Sequence, residues 1–270
     1  MSFYGTPLVG LEYIPSAPRA ALIVMHGLSE HIGRYLPCME YFEAHGLACF
    51  GYDQRGHGQS PGIRGDIEQF SQLTQDFRTI RRGIGARFAK LQLFVWGHSL
   101  GSIVALWAAA DAENSLTGVV TTGCAARAVP RLPLPFWNSA CALAAALPAI
   151  RWNPGLAARG LSHDPRVEEA YRRDPLVQER VTLRLLIQLA RACNAGLEEA
   201  PSIHVPWLAI HGGADRIAPP EGSRELVRLL GSADKQLVIE PGLYHEVHNE
   251  AEPAATRFRE RVLEWTSERI

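Results

Sequence analysis

Gly97-His98-Ser99-Leu100-Gly101 fits G-x-S-x-G. A serine hydroxyl attacks a carbonyl only when a base takes its proton and a carboxylate orients that base. So short a pattern also arises by chance, and its setting decides. An apolar run, Leu91–Trp96 (LQLFVW), precedes it, and a small-residue helical segment, Ser102–Ala110, follows. Strand, sharp turn and helix are what an elbow exposing Ser99 Oγ requires, with glycines on either side letting strand and helix approach.

On such an elbow the acid and then the histidine follow the serine along the chain. LAIHGGAD (208–215) puts Asp215 in the loop after one strand, and LVIEPGLYH (237–245) puts His245 in the loop after the next. The interval leaves room for one helix, Ser223–Leu230. His248 is the rival base; His245 is preferred because it lies closer to the strand end, and His248 is expected in the pocket wall or in a structural role. Asp234 and Glu240 compete for the part of the acid. His45, His163 and His204 are expected at the surface or in packing, and His57 and His211 as loop hydrogen-bonders. The oxyanion needs two preorganised N–H groups. One should come from Leu100, directly after the serine, and the second from the loop after an early strand, where His26-Gly27-Leu28 is in the right place.

These residues need a frame that brings strand ends together. Ala20–Met25 (AALIVM) and Leu47–Tyr52 (LACFGY) are continuous apolar runs, as strands buried on both faces are. Val119–Thr122, Leu208–Ile210 and Gln236–Ile239 are further strand candidates. Helical patterns lie between them: Pro37–His45, the series Phe70, Leu73, Phe77, Ile80, Ile84, Phe88, and a closing helix through Phe258, Val262 and Trp265 with Pro253 in its first turn. The alternation predicts a mostly parallel sheet flanked by helices, with functional loops at the carboxyl ends of the strands. The rhythm breaks at 124–203, which holds helical pieces, including Thr182–Ala195, and no clear strand. The expected organisation is a core of residues 1–123 and 204–270 with a helical cap of residues 124–203.

Composition narrows the function. The chain has 270 residues, 47% hydrophobic and 20% charged, which suits one large domain with an inserted piece. Its net charge of −1 argues against a nucleic-acid partner. Five widely spaced cysteines without CxxC suggest free thiols rather than a disulfide or zinc framework. Met1–Pro18 lacks a basic region followed by an apolar one, and the longest apolar run, Ala140–Leu147, is far shorter than the roughly 20 residues a membrane helix needs. A cytoplasmic protein is expected.

Taken together, HGLSEHIGRY (26–35), YDQRGHGQS (52–60), GHSLGS (97–102), DPL (174–176), GGADRIAPP (212–220) and YHEVHNE (244–250) resemble the monoacylglycerol lipase and lysophospholipase branch of the α/β-hydrolases, from about residue 20 to the C-terminus. The resemblance implies an α/β-hydrolase fold, a triad of Ser99, Asp215 and His245, and oxyanion donors at Leu28 and Leu100. It also implies that Glu30 and Arg34 brace the oxyanion loop and border an alcohol pocket, and that Tyr171 reaches down from the cap. His98 and His248 complete the candidate substrate-binding residues. The sequence departs from the family at Leu28, where the side chain is often small, in a short N-terminal strand region, and in a cap between Cys124 and Pro165 that aligns with nothing.

The expected protein is a serine hydrolase of carboxylic esters, acting through an acyl-enzyme on a monoacylglycerol or similar single-chain lipid ester, with no metal or other cofactor and with transient membrane contact through the cap. The alternatives are an acyltransferase, a short-chain carboxylesterase, a peptidase on the same triad, and a non-catalytic ligand-binding homologue. Leu132, Leu134, Phe136, Trp137, Leu143, Leu147 and Ile150, with Leu183, Leu185, Leu186, Ile187 and Leu189, offer apolar surface for covering the sheet and for lining an acyl channel.

Overall fold

A computed structural model describes residues 3–111, 115–127, 134–153 and 160–270, without the side chains of residues 134 and 135. Its strands are β1 (Gly10–Tyr13), β2 (Ala20–Met25), β3 (Leu47–Tyr52), β4 (Gln92–His98), β5 (Gly118–Thr122), β6 (Arg151–Trp152), β7 (Val181–Thr182), β8 (Trp207–Gly212) and β9 (Lys235–Glu240). Its helices are α1 (Leu36–Ala44), α2 (Ser71–Arg87), α3 (Leu100–Ala110), α4 (Leu134–Ala146), α5 (Pro165–Arg173), α6 (Leu183–Glu199), α7 (Glu221–Leu229) and α8 (Ala254–Ser267).

Seven strands form one sheet in the order β1-β3-β2-β4-β5-β8-β9. Only β1 runs antiparallel to its neighbour, so the short N-terminal region supplies a single edge strand. Side chains alternate across the sheet. On β2, Ala21, Ile23 and Met25 join α2, α3, α6 and α7 in one core, while Ala20, Leu22 and Val24 join α1 and α8 in the other. Burial on both faces is why these strands read as unbroken apolar runs. The carboxyl ends of β2, β4, β5, β8 and β9 lie along one edge, because the strands are parallel and in register, with Met25 opposite Gly97 and His98 opposite Thr122.

Between β5 and β8 the structure differs from expectation in two respects. The segment does contain strands: β6 and β7 form a two-residue antiparallel pair, too short to leave a period in the sequence. And α6 belongs to the main core. Leu185, Leu189, Cys193 and Leu197 form one stripe that packs with α3, and a Cβ at Gly196 would stand 2.7 Å from Leu106 Cδ2. Leu185 and Leu189 therefore cover the sheet rather than line an acyl channel. By contrast Phe136, Leu143, Leu147 and Ile150 are exposed, as is Trp152 on β6. Leu132 and the side chain of Leu134 lie outside the described residues. Pro253 caps α8 and does not enter its first turn.

Candidate active site

Ser99 sits between the last residue of β4 and the first of α3, with φ 51° and ψ −114°. A non-glycine residue with this backbone is strained. The strain is held by the surroundings: Ser99 N–H donates to Thr122 O at 2.9 Å, and Ser102 Oγ donates to Ser99 O at 2.5 Å. The flanking glycines are required by close approach. A Cβ at Gly97 would fall 2.2 Å from Gly101 O, and one at Gly101 would fall 2.2 Å from Met25 O. Helix α3 starts at Leu100, two residues earlier than its apolar pattern suggests, so its N-terminal N–H groups and positive dipole end lie beside Ser99.

Asp215 follows β8 in a turn that its own carboxylate stabilises, with Oδ1 accepting from Ile217 N at 2.8 Å and Ala218 N at 3.0 Å. Oδ2 accepts from His245 Nδ1 at 2.6 Å and from His211 Nε2 at 3.0 Å. Burial pushes the Asp215 carboxyl up, but His245 and His211 outweigh it and hold the group well below the usual carboxylate range. Burial disfavours a charged His245 in turn, yet Asp215 prevails and raises the imidazole above its ordinary value. His211 is no loop residue: it lies on β8, fully buried, with Nδ1 on Ser223 Oγ at 2.7 Å. It is thus a second orienting partner for the acid, which sequence reasoning placed only as a generic hydrogen-bonder. Gly123, with φ 52°, was also missed; a Cβ there would meet His245 Cε1 at 2.8 Å. Asp234 pairs with Arg269 and Glu240 with Arg261, away from this group.

The loop after β2 reaches the serine from the other side. A Cβ at Gly27 would stand 3.1 Å from Ser99 Cβ. His26 Nε2 accepts from Gln54 N at 2.9 Å, so Nδ1 carries the proton and donates to Gly27 O at 2.7 Å. Fixing this carbonyl fixes the planar Gly27–Leu28 peptide and hence the direction of the Leu28 N–H. Glu30 Oε1 accepts from Gly27 N at 2.6 Å and from the Tyr35 hydroxyl at 2.7 Å, and Arg34 Nη1 donates to Glu30 Oε2 at 2.5 Å. Glu30 thus bonds the Gly27 turn directly and also lines the cavity at Ser99, whereas Arg34 reaches that turn only through Glu30 and is not among the residues lining the cavity. Tyr171, on α5, lays its ring over Arg34 with 4.8 Å between guanidinium carbon and ring centre.

Ser99 and His245 open into one cavity, walled also by Leu28, His98, Leu161, Tyr171 and Ile217. His98 is buried there and bonds Thr122 Oγ1 at 3.0 Å; burial, then the neighbouring His245 and His248, keep it neutral. His248 stands in the structural place expected for it and not among the substrate-binding residues. It is absent from this wall and lies behind it, stacked on Tyr35 at 4.8 Å and against Trp96 and Phe258. Burial lowers its imidazole to about 4. Its position three residues after His245 turns it under the loop into the aromatic core, where it touches neither Asp215 nor substrate space.

An elbow serine at the end of a parallel strand, with a carboxylate and a histidine paired in the loops after β8 and β9, defines an α/β-hydrolase with a serine nucleophile. A family model described as "Serine aminopeptidase, S33" matches residues 16–252, and the chain belongs to that family. It is 36% identical over 240 residues to a monoacylglycerol lipase of Mycolicibacterium smegmatis, covering 87% of this chain and 84% of that one. It is 30% identical over 255 residues to the human monoglyceride lipase, covering 93% and 84%. The crystal structure of the Paleococcus ferrophilus monoacylglycerol lipase superimposes with a TM-score of 0.87 at 30% identity, covering 97% of this chain and 99% of that one. The protein is a serine hydrolase of carboxylic esters, as the resemblance in its sequence implied.

Proposed function

We propose that the ester is a monoacylglycerol or a similar single-chain lipid ester, cleaved by Ser99, His245 and Asp215. The observation that carries this is the strained Ser99 opening into the same cavity as His245, whose Nδ1 is bonded to Asp215. Ser99 Oγ attacks the acyl carbonyl while His245 takes its proton; the Leu28 and Leu100 N–H groups hold the oxyanion. His245 then gives the proton to the departing alcohol, and water, activated by the same imidazole, releases the acid. The names of the relatives support the lipid reading, as does a cavity lining that includes the apolar Leu28, Leu161 and Ile217 beside the polar Glu30.

Each methylene buried along an apolar wall gains up to about 0.8 kcal/mol, so lengthening an acyl chain from four to ten carbons adds about 4 to 5 kcal/mol at most, before ordering costs. The expected result is a kcat/KM at least about tenfold higher for ten-carbon than for four-carbon monoesters, both kept below micelle formation. Triacylglycerols are expected to be poor, because a diacylglycerol leaving group must pass Leu28. A kcat/KM that declines from four carbons onward identifies a short-chain esterase instead. Amide turnover above ester turnover identifies a peptidase, the reading that the description of the matched family favours. Glycerol that diverts the acyl group into ester identifies an acyltransferase.

The part of residues 124–203 that lies outside the main core is proposed to touch lipid surface. Phe136 is 67% exposed and Trp152 62%, Leu143 is exposed on the same helix as Phe136, and Leu147 is exposed just after it. Co-sedimentation with neutral vesicles is expected to fall in Phe136→Ser/Trp152→Ser, and equal sedimentation of both proteins rejects this contact. Among the described residues no helix is long and apolar enough to cross a membrane. The five cysteines are free thiols, which supports a reducing compartment such as the cytoplasm.

A further inference from the structure

One buried ion chain joins the loop that bears the base to the loop that bears the Leu28 N–H. Glu246, directly after His245, accepts from Arg34 Nη1 at 2.6 Å and Nη2 at 2.7 Å, and from Asn249 Nδ2 at 2.9 Å. Arg34 in turn holds Glu30, whose other oxygen holds the Gly27 N–H. The side chains of Arg34, Glu30 and Glu246 are 9%, 3% and 2% exposed. Two carboxylates on one guanidinium leave a net charge of −1 in the interior. Buried ion pairs of this kind add little stability over apolar residues of the same volume. What they do well is fix geometry, since a planar guanidinium bonding a carboxylate through two nitrogens allows little freedom at either end.

The chain connects elements that are distant in sequence and have different duties. At one end it holds Gly27, whose peptide with Leu28 carries the oxyanion donor. At the other it holds the residue next to the base. We propose that Glu246 is a positioning residue that, through Arg34 and Glu30, sets the His245 imidazole and the Leu28 N–H at their working separation. Without it, Arg34 still grips Glu30, but among the described residues no other hydrogen bond or ion pair ties either of them directly to residues 245–249, and what remains is the stacking of Tyr35, which bonds Glu30, on His248. Glu246 and Glu30 also border the cavity at Ser99, so their charge acts on the imidazolium formed during the reaction.

The inference rests on the triad reading, and Ser99→Ala in the same assay is the control: activity retained there refutes the triad and not this link. The test pairs Glu246→Gln, which keeps shape and loses charge, with Glu246→Asp, which keeps charge and loses reach. Both are assayed on a soluble short-chain ester, with kcat and KM determined separately across pH and folding checked by thermal melting. The groups facing His245 are Asp215 from the loop after β8, with His211 behind it, Glu30 with Arg34 from the loop after β2, His98 from β4, and Glu246 and His248 from its own loop. In both variants kcat is expected to fall about tenfold, the scale of a loosened rather than deleted oxyanion donor, with KM within about threefold of wild type. The acid limb of kcat/KM is expected to move to lower pH in Glu246→Gln and to stay in place in Glu246→Asp. A kcat within about threefold of wild type in both folded variants, a loss confined to KM, or an unmoved acid limb in Glu246→Gln overturns the proposal. If Glu246→Gln does not fold, kcat and KM of Glu246→Asp decide.

Discussion

Ser99→Ala is expected to lower kcat by several orders of magnitude, leaving only the roughly 10³- to 10⁴-fold advantage over water that binding and an oxyanion hole supply. The loss is large because triad members act as a unit: without the hydroxyl, the His245–Asp215 pair has nothing to deprotonate. Stability is expected to change little, because Ala inherits the same φ of 51° and the backbone bonds that hold the turn are untouched. Ser99→Gly separates the two effects. It is equally inactive but relieves strain worth about 1 to 3 kcal/mol, so its melting temperature is expected to rise above that of Ser99→Ala. A fluorophosphonate probe and a soluble ester suffice for the measurement. Labelling or a tenth of wild-type turnover retained in Ser99→Ala would reject Ser99 as the nucleophile.

The second large effect concerns the base. His245→Ala is expected to abolish activity to a similar extent, whereas His248→Ala is expected to keep most of the rate per folded molecule while lowering stability through the cavity it opens beside Tyr35 and Trp96. The pH dependence gives a sign. The base must be neutral to accept the serine proton, so kcat/KM rises with pH through the imidazole pKa and then levels. Burial opposes protonation of His245, but Asp215 dominates and raises it, so the rise is expected to be centred above the ordinary histidine value of about 6.5. His248, lowered to about 4, adds no step in that window. A rise centred below pH 6, or loss of turnover in His248→Ala with His245→Ala active, reverses the assignment.

Much of the site was legible because its chemistry is tied to local signals. Ser99, Asp215 and His245 each follow an apolar run that had to be a strand, and a parallel sheet gathers the ends of its strands at one edge. The glycines beside Ser99 are equally local, since the turn fails with any larger residue. His211 was underrated for a related reason. Its strand reads LAIHG, and nothing in that pattern tells a histidine at the strand end from one in the loop until Ser223 of α7 is seen to fix its ring.

The sequence by itself determined the fold class, the alternation of the main sheet's parallel strands with helices and the identity of the elbow, because those follow from apolar periodicity, glycine placement and residue types a few positions apart. Only the tertiary structure decided which of two nearby histidines reaches Asp215 and which turns into the aromatic core. It alone set α6 against α3 as core, left Phe136 and Trp152 bare, and joined Glu246 to Glu30 across more than 200 residues through Arg34. The physical reason is common to these cases. Burial and ion pairing depend on the sum of neighbours from distant segments, and a histidine or glutamate carries the same local signature whether it meets solvent, an aromatic ring or an arginine.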